Sequence, residues 1–417
     1  MKRREFLKKS AKASLLLSLP IQQVLFDSTP ALSGKRILFI GDSITQAGDY
    51  INFFECQLRI SKPDISYEVY NLGLASETIS GLSEEAHPFP RPYLHDRLDN
   101  ILDGLQPEVL FACYGINCGI YHPFEERLFR KYQEGITKLI RTADARKIQL
   151  ILLTPPPYAA LVQNWNDARK DQNRTDYSYA KPYVAYDDVM RKYAEWIMGL
   201  KEVQRIDIQT PMRTFQEICY GQDMIHPNIL GHQLMAHTIL QNLQSERTSD
   251  KVIQLNWKKD KVEKEEGISK FRLDAPKNSH VVRSDSQEYN QMISSSHEFI
   301  FKVDQLPPAM YQLFDHNFYL GQYNQDELEK GVKFSPLSNS LKYENLSFVR
   351  KAQQLYELVA SKREVCDYAL LQYIGHQRPM TKEGLPIVLA ERKRKEMNAS
   401  INQLLEDRTW EVEMIKL

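Results

Sequence analysis

The fold is decided by the stretch Arg36-Ile37-Leu38-Phe39-Ile40-Gly41-Asp42-Ser43. Its apolar run stops at Gly41, which is typical of a parallel strand that is buried on both faces. Four later stretches predict further strands, at 67–72, 108–114, 147–154 and, with the weakest apolar pattern, 203–208. The chain therefore begins its folded part with a buried strand that runs directly into a polar turn.

Helical patterns lie between these predicted strands. The clearest is Phe124–Thr142, which repeats apolar residues on one face, and Tyr183–Leu200 has a similar repeat. Strands that alternate with helices predict a parallel sheet with helices on both faces. We therefore predict an α/β core over residues 34–245.

The pattern changes after Thr248. A dense run of charged residues at 258–270 indicates a solvated loop or an exposed hairpin. Further strands are predicted at 251–257, 269–273, 297–303 and 310–320. Because no long helical pattern separates them, we predict a small antiparallel β module over 250–340.

Two helical patterns follow the predicted β module. The first carries an apolar stripe formed by Phe348, Ala352, Leu355 and Val359, and the second is Ile387–Leu405. Pro386 suits the start of that second helix. We therefore predict a C-terminal helical segment over 345–417.

The overall charge is balanced, with 54 lysines and arginines against 54 aspartates and glutamates in 417 residues. This balance argues against a nucleic-acid-binding protein, which needs clustered positive charge. The apolar content of 42% is that of a globular protein and excludes wholesale disorder. The overall charge therefore argues against nucleic acid as a partner and does not indicate which other partner the protein binds.

The first 33 residues differ from the rest, because six basic residues stand against two acidic ones and precede an apolar stretch. This order predicts a bacterial export signal, and Arg3-Arg4-Glu5-Phe6-Leu7-Lys8 resembles a twin-arginine signal. A short membrane anchor or a basic amphipathic helix is the alternative. Export predicts a periplasmic or secreted protein whose mature form is mildly acidic. No other stretch approaches the length of a membrane span.

The five cysteines are Cys56, Cys113, Cys118, Cys219 and Cys366. Their spacing contains no C-x-x-C pair and no metal-ligand pattern with histidine. We predict that most are buried free thiols, and we predict neither a metal site nor a cofactor.

Four short segments place polar residues near the carboxyl ends of predicted strands, where ligands bind in open α/β sheets. In the first, Ser43 follows the strand at the start of a helical turn, and a helix N-terminus favours a developing negative charge. In the second and third, the backbone of Gly73 can approach a ligand closely, and the amide of Asn117 can donate to an oxyanion. Helix capping and ordinary turns are the alternatives.

The fourth segment is Asp223-Met224-Ile225-His226-Pro227. A carboxylate three residues before an imidazole can orient the ring, as nucleophilic catalysis requires. A lone histidine is usually structural, but this combination in a proline-stiffened loop is uncommon.

In this order the four segments resemble the four sequence blocks of the SGNH, or GDSL-type, hydrolases. The family is named for residues that correspond here to Ser43, Gly73, Asn117 and His226. The resemblance implies a three-layer α/β/α, flavodoxin-like core. It also implies that Ser43 is the nucleophile, that His226 is the general base and that Asp223 orients His226. The oxyanion hole would consist of the N–H groups of Ser43 and Gly73 and the side-chain amide of Asn117.

The resemblance covers residues 35–245, with two departures. Cys118 stands where the third block commonly has an aspartate, and Met224 stands where relatives often have a small residue. The third block and the stretches 303–311, 321–323 and 327–332 resemble an exported bacterial subgroup, in which a β hairpin and a helix pair follow the core.

The resemblance implies a serine esterase that needs no metal or cofactor and deacylates small-molecule or glycan esters outside the cytoplasm. The rim of its substrate site is predicted to include Asp42, Tyr114, Tyr121 and Tyr158, with ordinary packing of these side chains as the alternative. A non-catalytic glycan-binding protein on the same fold and an acyltransferase with the same triad stay open. The sequence gives no oligomeric state.

Overall fold

The computed structural model describes residues 32–159, 174–221, 223–243, 252–260, 263–265, 268–278, 280–294, 297–336, 343–374, 378–379 and 382–417. Of the predicted export signal, only Leu32 and Ser33 are among them, so that prediction lies outside the described residues.

The core is built on a parallel sheet of five strands. They are β1 (Arg36–Gly41), β2 (Glu68–Asn71), β3 (Val109–Cys113), β4 (Gln149–Leu153) and β5 (Gln204–Ile206). Their order across the sheet is β2-β1-β3-β4-β5, and every neighbouring pair is parallel. This is the flavodoxin-like order, so the predicted fold class is confirmed.

Strand β1 lies inside the sheet, and Ile37 to Ile40 are fully buried, as its uninterrupted apolar run predicted. Gly41 at its end pairs with Cys113 at the end of β3. The turns that follow β1 and β3 therefore meet at one edge of the sheet, which brings together the segments that contain Ser43 and Asn117.

Helices cover both faces of this sheet. They are α1 (Ser43–Ala47), α2 (Asp49–Ser61), α3 (Leu98–Leu105), α4 (Glu126–Ala145), α5 (Tyr186–Gly199), α6 (Gln209–Thr214), α7 (Gln216–Cys219) and α8 (Ile229–Leu243), with a short 3₁₀ turn at Leu94–Asp96. The two helices predicted from periodicity, α4 and α5, are present with slightly different ends.

The C-terminal part contains two further sheets. Its strands are β6 (Val252–Asn256), β7 (Glu263–Glu265), β8 (Ile268–Asp274), β9 (Phe299–Asp304), β10 (Met310–Asp315), β11 (Phe318–Asn324), β12 (Val332–Phe334) and β13 (Thr409–Lys416). One sheet has the order β11-β10-β13-β8-β7 and the other β12-β9-β6. The helices of this part are α9 (Gln287–Ser294), α10 (Gln325–Lys330), α11 (Ser347–Tyr373) and α12 (Ile387–Glu406).

Three predictions about this part need correction. The β module is not wholly antiparallel, because β6 and β9 pair in parallel. The single strand predicted at 310–320 is a hairpin of two strands that turns at His316. The segment predicted as helical over 345–417 ends in β13, whose alternate residues Trp410, Val412 and Met414 are buried, so its period of two fits a strand.

Helix α11 attaches this part to the hydrophobic core of the first. Its Leu355 and Val359 pack against Cys56 of α2 and Ile401 of α12. Beside them, Lys362 donates to buried Glu55, which also accepts a 2.8 Å hydrogen bond from Arg59. Because buried charges are stable only when they are paired, this cluster fixes α11 against α2 close to Ser43. Among the described helices, none combines the length and hydropathy needed to cross a bilayer.

Candidate active site

Ser43 is the first residue of α1, directly after β1. Asp42 precedes it in an extended conformation and caps the helix, because its Oδ1 accepts a 3.0 Å hydrogen bond from the N–H of Ile44. The first N–H groups of a helix have no intrahelical acceptor. The turn therefore places the Ser43 hydroxyl beside a set of partly positive backbone donors.

Ser43, His226 and Asp223 form a continuous hydrogen-bonded chain. His226 Nε2 lies 2.8 Å from Ser43 Oγ, and His226 Nδ1 lies 2.6 Å from Asp223 Oδ2. The two loops that supply these residues are separated by 180 residues of sequence and meet at the carboxyl edge of the sheet. This arrangement of a hydroxyl, an imidazole and a carboxylate can activate the hydroxyl as a nucleophile.

The loop that carries His226 is fixed by its own backbone contacts. Asp223 Oδ1 accepts hydrogen bonds of 2.7 Å from the N–H of Ile225 and 3.1 Å from the N–H of His226. Burial acts to raise the pKa of Asp223, but the hydrogen bonds from His226 and from these N–H groups outweigh it. The pKa of Asp223 therefore lies below its ordinary value, and the carboxylate stays ionised at neutral pH.

Asn117 lies buried beside this chain, with its amide held from two sides. Its Oδ1 accepts a 2.9 Å hydrogen bond from the hydroxyl of Tyr121, and its Nδ2 donates to the backbone carbonyl of Glu77 at 3.2 Å. An amide nitrogen carries two hydrogens, so one of them is left for a ligand. Tyr121 thus fixes which end of the amide is the donor.

Gly73 packs directly against α1. A Cβ atom at this position would lie 2.3 Å from the backbone nitrogen of Gln46, so no residue with a side chain fits here. The N–H of Gly73 donates to Asn71 Oδ1 at 2.9 Å. The predicted role of this N–H as an oxyanion donor therefore requires that it be shared between Asn71 and the ligand.

Known proteins resemble this chain over about half of its length or over nearly all of it. No family model matches the chain. The acetylxylan esterase of Geobacillus stearothermophilus is 20% identical over 233 residues, which are 51% of this chain and 94% of that protein. This similarity supports an SGNH, or GDSL-type, hydrolase family for the chain. It also supports an ester-hydrolysing enzyme.

Solved structures resemble this hydrolase over different lengths. The gut microbial diltiazem-metabolizing enzyme BT4096 has a TM-score of 0.62 at 17% identity, over 94% of this chain and 99% of that one. A putative GDSL-like lipase from Parabacteroides merdae has a TM-score of 0.36 at 20% identity, over 51% of this chain and 99% of that one. The first of these shows that the fold of this hydrolase, including its C-terminal part, occurs in a known structure.

The four residues predicted at the substrate rim are buried in this hydrolase, and their roles need correction. Tyr114 donates to Glu77 Oε2 at 2.6 Å, Tyr121 holds Asn117, and Tyr158 contacts Met224 beside His226. Asp42 is the helix cap. Packing, which was the alternative, explains all four better than contact with substrate.

The sequence did not reveal the buried ion pair of Arg97 and Glu77, which supports Asn117. Arg97 and Glu77 form a fully buried ion pair with two hydrogen bonds of 2.6 Å, and Tyr114 completes the coordination of Glu77. These residues lie in irregular segments, so no periodic pattern marked them. Their function is to fix the loop whose carbonyl accepts from Asn117.

Cys118 does not behave as a nucleophile in this site. It is fully buried, and burial raises the pKa of its thiol to about 12. A thiol with so high a pKa carries almost no thiolate at neutral pH, and the thiolate is the reactive form.

Asp42 makes the stability of this hydrolase depend on pH. Desolvation raises the pKa of Asp42 to about 7, whereas an unfolded aspartate titrates near about 4. Between these values the folded state binds more protons than the unfolded state, so stability falls as the pH rises. The variant Asp42→Asn keeps a capping oxygen but has no carboxyl group to titrate. We therefore expect its free energy of unfolding, relative to that of the wild type, to rise by on the order of 2 kcal/mol from pH 5 to pH 8.

Urea unfolding at the two pH values checks this expectation. Asp64→Asn is the matched control, because the Asp64 side chain is almost fully exposed and its loss leaves the pH dependence nearly as it was. A difference between Asp42→Asn and wild type that is the same at pH 5 and pH 8 would contradict the assigned titration.

Proposed function

We propose that this hydrolase removes acyl groups, most simply acetyl groups, from carbohydrate esters outside the cytoplasm. Ser43 is the nucleophile, His226 is the general base and Asp223 orients His226. The observation that carries the proposal is the unbroken contact from Asp223 through His226 to Ser43.

Acylation follows from the direction of these contacts. His226 Nε2 takes the proton of the Ser43 hydroxyl as Oγ attacks the ester carbonyl. When the bond to the alcohol breaks, His226 returns that proton to the alcohol oxygen, and an acyl-serine remains. Asp223 keeps the other ring nitrogen protonated and stabilises the imidazolium that forms in between.

Deacylation repeats the same steps with water. His226 takes a proton from a water molecule that attacks the acyl-serine, and Ser43 leaves with a proton from His226. The negative oxygen that forms in both steps is stabilised by the free hydrogen of the Asn117 amide and by the N–H groups of Ser43 and Gly73.

Exposure of the catalytic residues favours hydrolysis over acyl transfer. The side chains of His226 and Asp223 are 44% and 54% exposed, so water reaches the base directly. An acyltransferase has to keep water from the acyl-serine. A binding protein without activity would need no such contact between Ser43 and His226.

The carbohydrate substrate is supported by the similarity to the acetylxylan esterase of Geobacillus stearothermophilus. Location outside the cytoplasm is supported by the twin-arginine-like stretch at residues 3–8. A polymeric glycan is accessible to an enzyme on that side of the membrane.

Covalent labelling tests the proposed nucleophile, and acetate release tests the substrate. We expect a fluorophosphonate to form one adduct, on the peptide that contains Ser43, and the purified enzyme to release acetate from acetylated xylan. Prior labelling should abolish that release. An adduct on another residue with full loss of activity would exclude Ser43, and turnover of 4-nitrophenyl acetate without acetate release from any acetylated glycan would exclude the carbohydrate substrate.

A further inference from the structure

A cavity of about 420 Å³ opens beside Ser43, and α11 supplies one of its walls. From the α/β core, Ser43, Gly73 and Asn52 line it, and from α11 it is lined by Arg363, Asp367 and Tyr368. This volume falls within the range of about 300–1,000 Å³ that is typical of small-molecule sites. The C-terminal part therefore contributes directly to the space next to the nucleophile.

Arg363 lines this cavity, and its guanidinium has an unpaired donor. The residue is only 5% exposed, and its Nε donates to Asn52 Oδ1 at 2.6 Å. Its Nη1 is buried and has no hydrogen-bond partner within the described part of the chain. A buried charged donor without an acceptor is unfavourable, so the guanidinium keeps hydrogen-bonding capacity for a ligand oxygen.

The other charges around the cavity argue against an anionic ligand. Asp49, Glu364 and Asp367 line it together with Arg363, so carboxyl groups outnumber the guanidinium. Burial raises the pKa of Asp367 to about 7, while Arg363 and Lys362 oppose the shift. Asp367 therefore can both donate and accept near neutral pH. Hydroxyl groups match this set, because each can accept from Arg363 and donate to a carboxylate.

The size of the cavity indicates which half of the ester it holds. An acetyl group has two carbon atoms and needs far less space than this cavity offers. If the acyl group is acetyl, as in the proposed function, the larger occupant is the alcohol.

We infer that α11 completes the substrate site of this hydrolase, and that the cavity binds the neutral, hydroxyl-bearing alcohol half of the ester, a sugar unit. Arg363 donates to a hydroxyl or ring oxygen of the sugar, and Asp367 and Glu364 accept hydrogen bonds from its hydroxyl groups. Tyr368 adds an aromatic ring to the same wall. The inference deepens the proposed function and depends on it for the identity of the acyl group.

The first test compares two acetyl esters that differ in the alcohol. We expect Arg363→Met to lower kcat/KM for acetylated methyl β-xyloside about tenfold more than kcat/KM for 4-nitrophenyl acetate, whose alcohol has no hydroxyl groups to bind. Arg363→Lys should lose less selectivity. Arg392→Met on α12, whose side chain is largely exposed, is the matched control and should keep the wild-type ratio. Equal losses on both esters would make Arg363 a structural residue and overturn the inference.

The second test separates this inference from the proposed catalysis. In the Ser43→Ala background, calorimetry measures the affinity for acetylated methyl β-xyloside without turnover. We expect a further Arg363→Met change to weaken binding about tenfold, with thermal unfolding as the check on folding, and an equivalent decrease for Asp367→Leu but not for exposed Glu357→Gln. Unchanged affinity would overturn the sugar site, whereas ester turnover that survives Ser43→Ala would overturn only the proposed nucleophile.

A series of 4-nitrophenyl esters distinguishes the two halves of the substrate. If the cavity holds the alcohol, Arg363→Met leaves the ratio of acetyl to butyryl turnover close to the wild-type value. A variant that changes this ratio while it keeps the discrimination between alcohols would place the acyl group in the cavity and overturn the inference.

Discussion

Replacing Ser43 with alanine is expected to lower kcat for 4-nitrophenyl acetate by about 10⁴-fold or more. Without Oγ no acyl-enzyme forms, and only the oxyanion donors and substrate binding still favour hydrolysis. His226 and Asp223 keep their mutual contact of 2.6 Å in this variant, so the fold should be nearly as stable as the wild type. Steady-state kinetics with purified protein, checked by thermal unfolding, measure the effect.

The three residues act as one unit, so their effects should not add. His226→Ala should lower kcat by a similar factor, and the double variant Ser43→Ala/His226→Ala should be hardly less active than either single one. A second histidine–aspartate pair supplies the control, because His316 Nδ1 lies 2.7 Å from Asp315 Oδ1 in the hairpin between β10 and β11. His316→Asn should keep wild-type kcat. Multiplicative losses in the double variant would mean that Ser43 and His226 act in separate steps.

The core and the contacts between Ser43, His226 and Asp223 could be predicted because their determinants are local. The apolar run of β1 ends at Gly41, and Ser43 follows within two residues. In the same way, His226 follows Asp223 within one loop, so their contact needs only a turn of the right shape. Topology then supplies the long-range part, since parallel strands place all their carboxyl ends at one edge.

Strand β13 lies in a segment that was predicted to be helical, so the local sequence pattern did not predict it. Its alternation of polar and apolar residues was present in the sequence, but the strand directly follows the helix α12. The strand pairs with β8 and β10, which lie about 100 residues or more earlier in the chain. Pairing over such a distance is decided by the packing of Trp410 among Phe299, Phe301 and other rings, which no local pattern reveals.

The roles of the tyrosines and the burial of charged side chains were also not predicted from the sequence. An aromatic side chain near a motif can contact substrate or support the motif, and burial decides between the two. Tyr114 and Tyr121 are buried with their hydroxyls bonded, so they support the site. Arg363 was missed because the apolar stripe of α11 continues from Val359 into charged residues. Burial of Lys362 and Arg363 is possible only because α2 supplies Glu55 and Asn52 as partners.

Replacing Asn117 with aspartate is expected to lower kcat about 10²- to 10³-fold with a much smaller change in KM. The aspartate has nearly the same shape, and its carboxylate can still accept the hydrogen bond from Tyr121. It has no N–H to donate, however, and its charge would repel the oxyanion in the transition state. Asn117→Ala should lie at the lower end of this range, because it removes the donor without adding the charge.

Tyr121→Phe separates positioning of the amide from donation by it. The variant keeps the Asn117 donor but removes the 2.9 Å hydrogen bond that fixes its orientation, so kcat should fall only several-fold. Tyr121 is thus a positioning residue, and adding Tyr121→Phe to Asn117→Ala should cost little more, since no amide remains to be held. Kinetics of the two single variants and the double variant, with thermal unfolding to confirm folding, measure this coupling. Full activity of Asn117→Asp would remove the amide from the oxyanion hole, and independent losses in the double variant would show that Tyr121 acts through another group.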